Sequence, residues 1–217
     1  MMTNRPLRNT SNLVLAAALI TVGSTLRVTS FAQQSSETLY DQTKRAGGKL
    51  VVHYRPDRGV LYANIEELAK RTEIILVGRI MGGRARLSAD GKFITKDFLV
   101  KVVDVIRGDL RPGSAITVTL PGGSYRFSDG GFVLVDPAGY RQAKNGKLYA
   151  FFLKPPGERK SFEPVSQTQA LFELTTGKVE PADLVRTTPL VSKYKGKDVP
   201  EFLADIQRAV GRVNGKK

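Results

Sequence analysis

From residue 74 onward the apolar residues of this chain recur at every second position, in short runs cut by Gly, Pro and Asp turns. A strand imposes that period, because successive side chains point to opposite faces of a sheet. Ile74 to Met81 (IILVGRIM) reads as a buried strand. Arg84–Leu87 and Lys92–Thr95 flank Asp90-Gly91, a tight-hairpin signal. Asp97 to Arg107 (DFLVKVVDVIR) is a long strand with Phe98, Val100, Val102 and Ile106 on one face. Val103 and Val105 make its other face apolar near the end, which predicts a cover there. Gly108 to Gly113 is a turn. Strands follow at Ala115–Leu120, Phe132–Val135, Leu148–Leu153 and Ala170–Leu174. No helical pattern intervenes between residues 74 and 153, which argues against a parallel α/β fold. The expectation is a mainly β chain, all-β or α+β, built on a small antiparallel β-barrel; an open α+β sheet is the alternative.

Two helices flank this region. Asn64 to Glu73 (NIEELAKRTE) carries a cap at Asn64 and Glu67 three places on, as in a capping box. Near the end Asp198 takes the N-cap position, with Pro200 and Glu201 in the first turn. Phe202, Leu203, Ile206 and Val210 then form one apolar stripe that belongs on a core. One helix thus precedes the barrel and a C-terminal helix packs on it. Residues 33–61 read as an extended lead-in with a loose helical turn around Leu39-Tyr40 and a short strand, Lys49–Tyr54, stopped by Pro56. Residues 62–217 read as a single domain.

The first 32 residues have the make-up of a secretory leader. Arg5 and Arg8 stand at the front, no acidic residue occurs, and Leu13 to Leu26 carries no charge. That run is too short for a bilayer-spanning helix, which needs about 20 residues. Ser30-Phe31-Ala32 offers small residues at the two places a signal peptidase reads, so cleavage is expected after Ala32. The mature chain is expected to be exported, periplasmic or extracellular, with no membrane span.

The chain has no Cys and one His. It therefore lacks disulfides, thiolate metal sites, a thiol nucleophile and an H-E-x-x-H zinc site. No cofactor or metal is expected.

The segments ILVGRI, DGKFITKDFLVKVVDVIRGDLRPGSAITVTLPGG, GKLYAFFLKP and QALFELTTGKV together resemble a diffuse family of uncharacterised exported bacterial proteins. Their shared pattern is a "VVG-V" strand, a "T-F-V-V-VLKG" strand, a PGG turn and a "Y-LFL" strand. The resemblance runs from about Tyr62 to Val179 and includes the closing helix. More remotely, the paired strands are similar to netrin-type modules, which have an OB-like barrel and bind proteins or polyanions. That resemblance implies an OB/netrin-like barrel. Protease inhibition is not carried over, because the inhibitory edge in those modules is built around a cysteine that this chain lacks.

Pro121 to Gly131 (PGGSYRFSDGG) is the most unusual stretch. Its four glycines free the backbone for positive φ, and clustered N–H groups can cradle an anion. Tyr125, Arg126 and Phe127 place rings beside a cation. Gly122, Gly123, Ser124, Tyr125, Arg126 and Asp129 are accordingly the ligand-binding candidates, at the mouth of a barrel; two adjacent β-turns are the plainer reading. No G-K-[ST] follows, so this is not a phosphate loop. No catalytic residue is assigned. His53 has no nucleophile tied to it in sequence, and Ser124 lacks the G-x-S-x-G elbow.

The formal net charge is +14. Loss of the leader removes only Arg5, Arg8 and Arg27, so the mature chain stays strongly basic. Local cationic groups are Arg84/Arg86, Arg141/Lys144/Lys147, Arg159/Lys160 and Lys193/Lys195/Lys197. Such a charge steers anionic partners over roughly 8 Å at physiological salt. Export makes chromosomal DNA an unexpected partner. The leading expectation is a non-catalytic binding module for an envelope protein or an anionic envelope polymer. Two alternatives stay open: a hydrolase using two of Asp97, Asp104, Asp129 and Asp136, and a structural subunit that pairs through a strand edge.

Overall fold

The computed structural model describes residues 28–30, 37–55, 60–157, 160–184 and 188–215. Along the chain come β1 (Val28–Ser30), α1 (Leu39–Arg45), β2 (Lys49–Tyr54), α2 (Ile65–Lys70), β3 (Ile74–Leu87), β4 (Ile94–Arg107) and β5 (Ala115–Pro121). They are followed by β6 (Gly123–Arg126), β7 (Phe132–Pro137), β8 (Leu148–Lys154), β9 (Glu163–Pro164), β10 (Leu171–Leu174) and β11 (Val179–Pro181). Helices α3 (Pro189–Tyr194) and α4 (Val199–Asn214) close the chain. The protein is mainly β, with helices toward its ends. The expected cleavage point after Ala32 lies outside the described residues. β1 falls inside the expected leader and runs parallel to β2.

The larger sheet has the order β11-β10-β8-β3-β4-β5, with β9 on β8, and every pairing in it is antiparallel. The expected closed barrel is not found. Among the described residues β5 meets the segment entering β9 through a one-residue bridge, Val118 to Phe162, carried by Thr119 N–H to Phe162 O and Phe162 N–H to Thr117 O, each 2.9 Å. The ladder stops there for a chemical reason. Pro164 has no N–H to donate, and Pro155-Pro156-Gly157 leads into the segment. A second correction concerns strand direction. The smaller sheet, β1-β2-β7-β6, joins β2 and β7 in parallel. The long stretch of chain between them supplies the crossover that a parallel pair needs.

Alternation sends each central strand's side chains to two different interiors. Ile75 and Val77 of β3, Ala150 and Phe152 of β8, and Phe172 of β10 pack under the helices. There they meet Leu68 of α2, Tyr194 of α3, and Phe202, Ile206 and Val210 of α4. On the opposite face Leu76, Ile80, Phe98, Val100, Val118, Phe151 and Leu153 fill the inside of the rolled sheet. A third cluster, Leu39, Leu50, Val52, Ile94, Val133 and Val135, ties the small sheet and α1 to the far arm of the β3–β4 hairpin.

Several local signals hold in detail. Asn64 accepts from Glu67 N–H at 2.9 Å, and Glu67 reaches back to Ala63 N–H at 3.0 Å. Asp198 takes the N-cap position but makes no side-chain cap bond, since its carboxylate pairs with Lys178 at 2.9 Å. The two strand fragments before Asp90-Gly91 are one continuous β3, running through Gly82-Gly83. The β3–β4 register shifts three times and leaves Met81, Val103 and Ile106 as extra residues. The shift at Val103 explains a misreading of β4. Val105 turns inward and Ile106 packs under the helices, while Val103 is 47% exposed and uncovered.

Candidate functional site

The glycine-rich stretch 121–131 is half strand. Gly122 and Gly123 have φ +86° and +123° and form a sharp corner between β5 and β6. A Cβ on Gly122 would stand 2.8 Å from the carbonyl oxygen of Val135, so the small residue is required there on steric as well as conformational grounds. β6 then pairs antiparallel with β7, Tyr125 opposite Val133 and Arg126 opposite Phe132. Pairing imposes the two-residue period, and the six candidates separate.

Ser124 and Arg126 are exposed on the outer face of the small sheet. Arg126 lies 5.8 Å from the centre of the Phe132 ring and donates from Nη1 to Gly130 O at 3.3 Å. Beside them on this face His53 Nδ1 stands 3.5 Å from Asp136 Oδ2, and Asp136 also accepts from Gln142 at 3.1 Å. Tyr125 points the other way, toward the third cluster, and meets Phe127 edge-on at 5.2 Å.

The turn expected around Leu39-Tyr40 is a seven-residue helix, α1, and sequence reasoning missed what it brings to the hairpin. Tyr40 packs edge-on to Phe127 at 5.1 Å, which makes a row of three half-buried rings, Tyr40, Phe127 and Tyr125. Lys44, one helical turn after Tyr40, lies 4.7 Å from the Tyr40 ring centre and 3.7 Å from Asp129. The signal was present. Thr38 begins the helix by accepting from Asp41 N–H, and Tyr40 and Lys44 are spaced i, i+4, which places them on one face.

Asp129 serves the turn, accepting from Gly131 N–H at 3.1 Å. That bond, with help from the Tyr40 hydroxyl and Lys44, holds its carboxyl below the usual range. The Tyr40 hydroxyl, and then Asp129, raise the Lys44 ammonium above its ordinary value. Lys44 therefore stays charged throughout the physiological range.

A separate cleft of about 280 Å³ opens where the rolled sheet meets β9. Val60, Phe93, Leu120 and Pro164 give it apolar walls, and Lys154 and Glu163 stand among its polar groups. None of the six candidates lines it. At its floor Thr119 donates to Asp97 at 2.7 Å and lies 3.0 Å from Ser161 Oγ, while Asp97 is also paired with Arg86. The four carboxylates considered for hydrolysis stand apart in the fold. Asp97 and Asp104 are on β4, Asp129 is in the β6–β7 turn and Asp136 is on β7, and none lines this cleft. Among the described residues no group of three His, Asp or Glu side chains is placed to hold a metal.

Compared with known families and with curated proteins, the chain matches no family model and no curated sequence.

Proposed function

We propose that this chain is an exported, non-catalytic module that binds an anionic polymer of the bacterial envelope, with the β6–β7 hairpin and α1 as the contact surface. The observation that carries this reading is the pairing of cations with half-exposed rings: Lys44 on Tyr40 and Arg126 on Phe132. Rings and cations together suit a chain of repeating anionic units. Each charge meets a guanidinium or ammonium, and each flat unit meets an aromatic edge or face. The composition of residues 1–32 supports export. The Phe162 seam supports an OB-like relationship, since it brings β5, β9 and β8 next to one another around one interior.

The test is retention on immobilised heparin across a salt gradient. The wild-type chain is expected to elute well above physiological salt, and Lys44→Gln/Arg126→Gln to elute clearly earlier, because each phosphate- or sulfate-type contact adds a salt-dependent increment. Passage of the wild type straight through the column, or an unchanged elution point in the double variant, would refute the assignment.

A further inference from the structure

Helices α2, α3 and α4 cover the outer face of the large sheet over β10, β8 and the beginning of β3, reaching β4 near Ile106. Beyond that point Met81, Leu99 and Val103 are 55%, 49% and 47% exposed. Two of these, Met81 and Val103, are extra residues at β3–β4 register shifts, and bulges of this kind re-aim side chains. Between the apolar residues Arg79 and Lys101 oppose each other directly in the register, and both are exposed. Like charges at opposed positions destabilise a sheet. An anion lying over both would reverse that cost. Arg79 donates from Nη1 to Gly146 O at 2.9 Å, and the loop carrying Gly146 adds exposed Lys144 and Lys147. Of the acids nearby, Asp97 is held by Arg86 and Thr119, while Asp104, exposed beside Val103 on the same face, accepts from Val105 N–H and is outnumbered by Arg79, Lys101, Lys144 and Lys147.

We propose that this outer face of β3 and β4 docks on an anionic lipid surface, with Arg79 and Lys101 on headgroup phosphates and Met81, Leu99 and Val103 entering the acyl boundary. The arrangement favours lipid over the other anionic partners. A hydrophilic polymer offers nothing for three apolar side chains to enter. A protein interface concentrates apolar residues at its centre and moves charge to its rim, whereas here the cations lie in the middle. Interleaved apolar and long cationic side chains are what a membrane interface accommodates, the apolar parts sinking and the charged ends staying at the phosphates. The inference uses residues distinct from the hairpin and stands independently of polymer binding there.

The experiment is co-sedimentation of the full chain with vesicles of phosphatidylcholine alone and of phosphatidylcholine mixed with phosphatidylglycerol. Binding is expected to the mixed vesicles and not to the neutral ones. Lys101→Glu should weaken it about tenfold or more at low salt, and Leu99→Asn/Val103→Asn should abolish what remains at high salt. These positions are exposed, so unchanged circular dichroism and melting are expected alongside. Lys44→Gln/Arg126→Gln should sediment as the wild type does. No binding to mixed vesicles, equal binding to neutral ones, or wild-type binding by Leu99→Asn/Val103→Asn would overturn the proposal. So would a dimer in light scattering that Leu99→Asn/Val103→Asn dissolves, which would give the face to a second copy of the chain.

Discussion

Asp205 on α4 is 14% exposed and sits between Lys197 Nζ, at 2.8 Å, and Arg208. Burial alone would raise its carboxyl, but the bonds from Lys197 and Arg208 win and hold it below its ordinary value. The same Asp205 bond raises Lys197. A lowered carboxyl stabilises the fold above its unfolded value of 3.8 and stops doing so as pH falls through the folded one. A raised ammonium stabilises below 10.5 and stops as pH rises beyond its folded value. Asp205→Asn should therefore cost about 1–2 kcal/mol at pH 7, with the gap to wild type closing in acid below 3.8 and in alkali above 10.5. Urea unfolding across pH measures this, and a gap that stays constant into acid would refute it. Nothing in the sequence joins Lys197 to Asp205 except their places around the start of α4. In β6 the limit on reading was sharper. Gly122-Gly123 and Gly130-Gly131 look like two turns, and only the pairing with β7 reveals that Tyr125 and Arg126 face opposite ways.

Strands and helices were legible wherever one face alone is buried. β5, β7 and α4 lie within a residue or two of their periodic patterns, because burial on one side imposes a period that nothing else in the chain imitates; β8, buried on both faces, is legible instead as an unbroken apolar run. α3, β9 and β11 were not legible. They are short, and neighbours fix them more than their own pattern does; α3 reads as PLVSKY, β9 as a single dipeptide. Register shifts were equally hidden, since the extra residues Val103 and Ile106 are ordinary β-formers. The Phe162 seam is the element on which the roll depends. Phe162 is buried among the inner-face residues and carries both backbone bonds to β5. Phe162→Ala should cost about 3–5 kcal/mol, and amide exchange at Thr119 should accelerate far more than at Val100 on β4. Equal acceleration at both amides would mean that the seam is no separate point of opening.

β3 supplies all three interiors: Ile75 and Val77 to the helix side, Leu76 and Ile80 to the inner side, Ala85 and Leu87 to the small sheet. Such sharing predicts one unfolding transition for the molecule. Phe202→Ala, in the helix-side cluster, and Phe151→Ala, in the inner one, should each lower a single melting point seen alike by calorimetry and far-UV circular dichroism. Two resolved transitions in either variant would contradict this. The mainly β class and the two flanking helices were readable from the sequence, because they follow from local periods. The parallel β2–β7 pairing and the unclosed roll were not, since they depend on which distant segments meet. One consequence reaches back to synthesis. A ribosome that has completed only residue 147 holds a central strand still missing its β8 neighbour, with the greasy surface that Ala150 to Leu153 will cover left bare on both sides. Until that late piece emerges the core cannot be completed, and the nascent polypeptide presents an adhesive surface of the kind a chaperone covers.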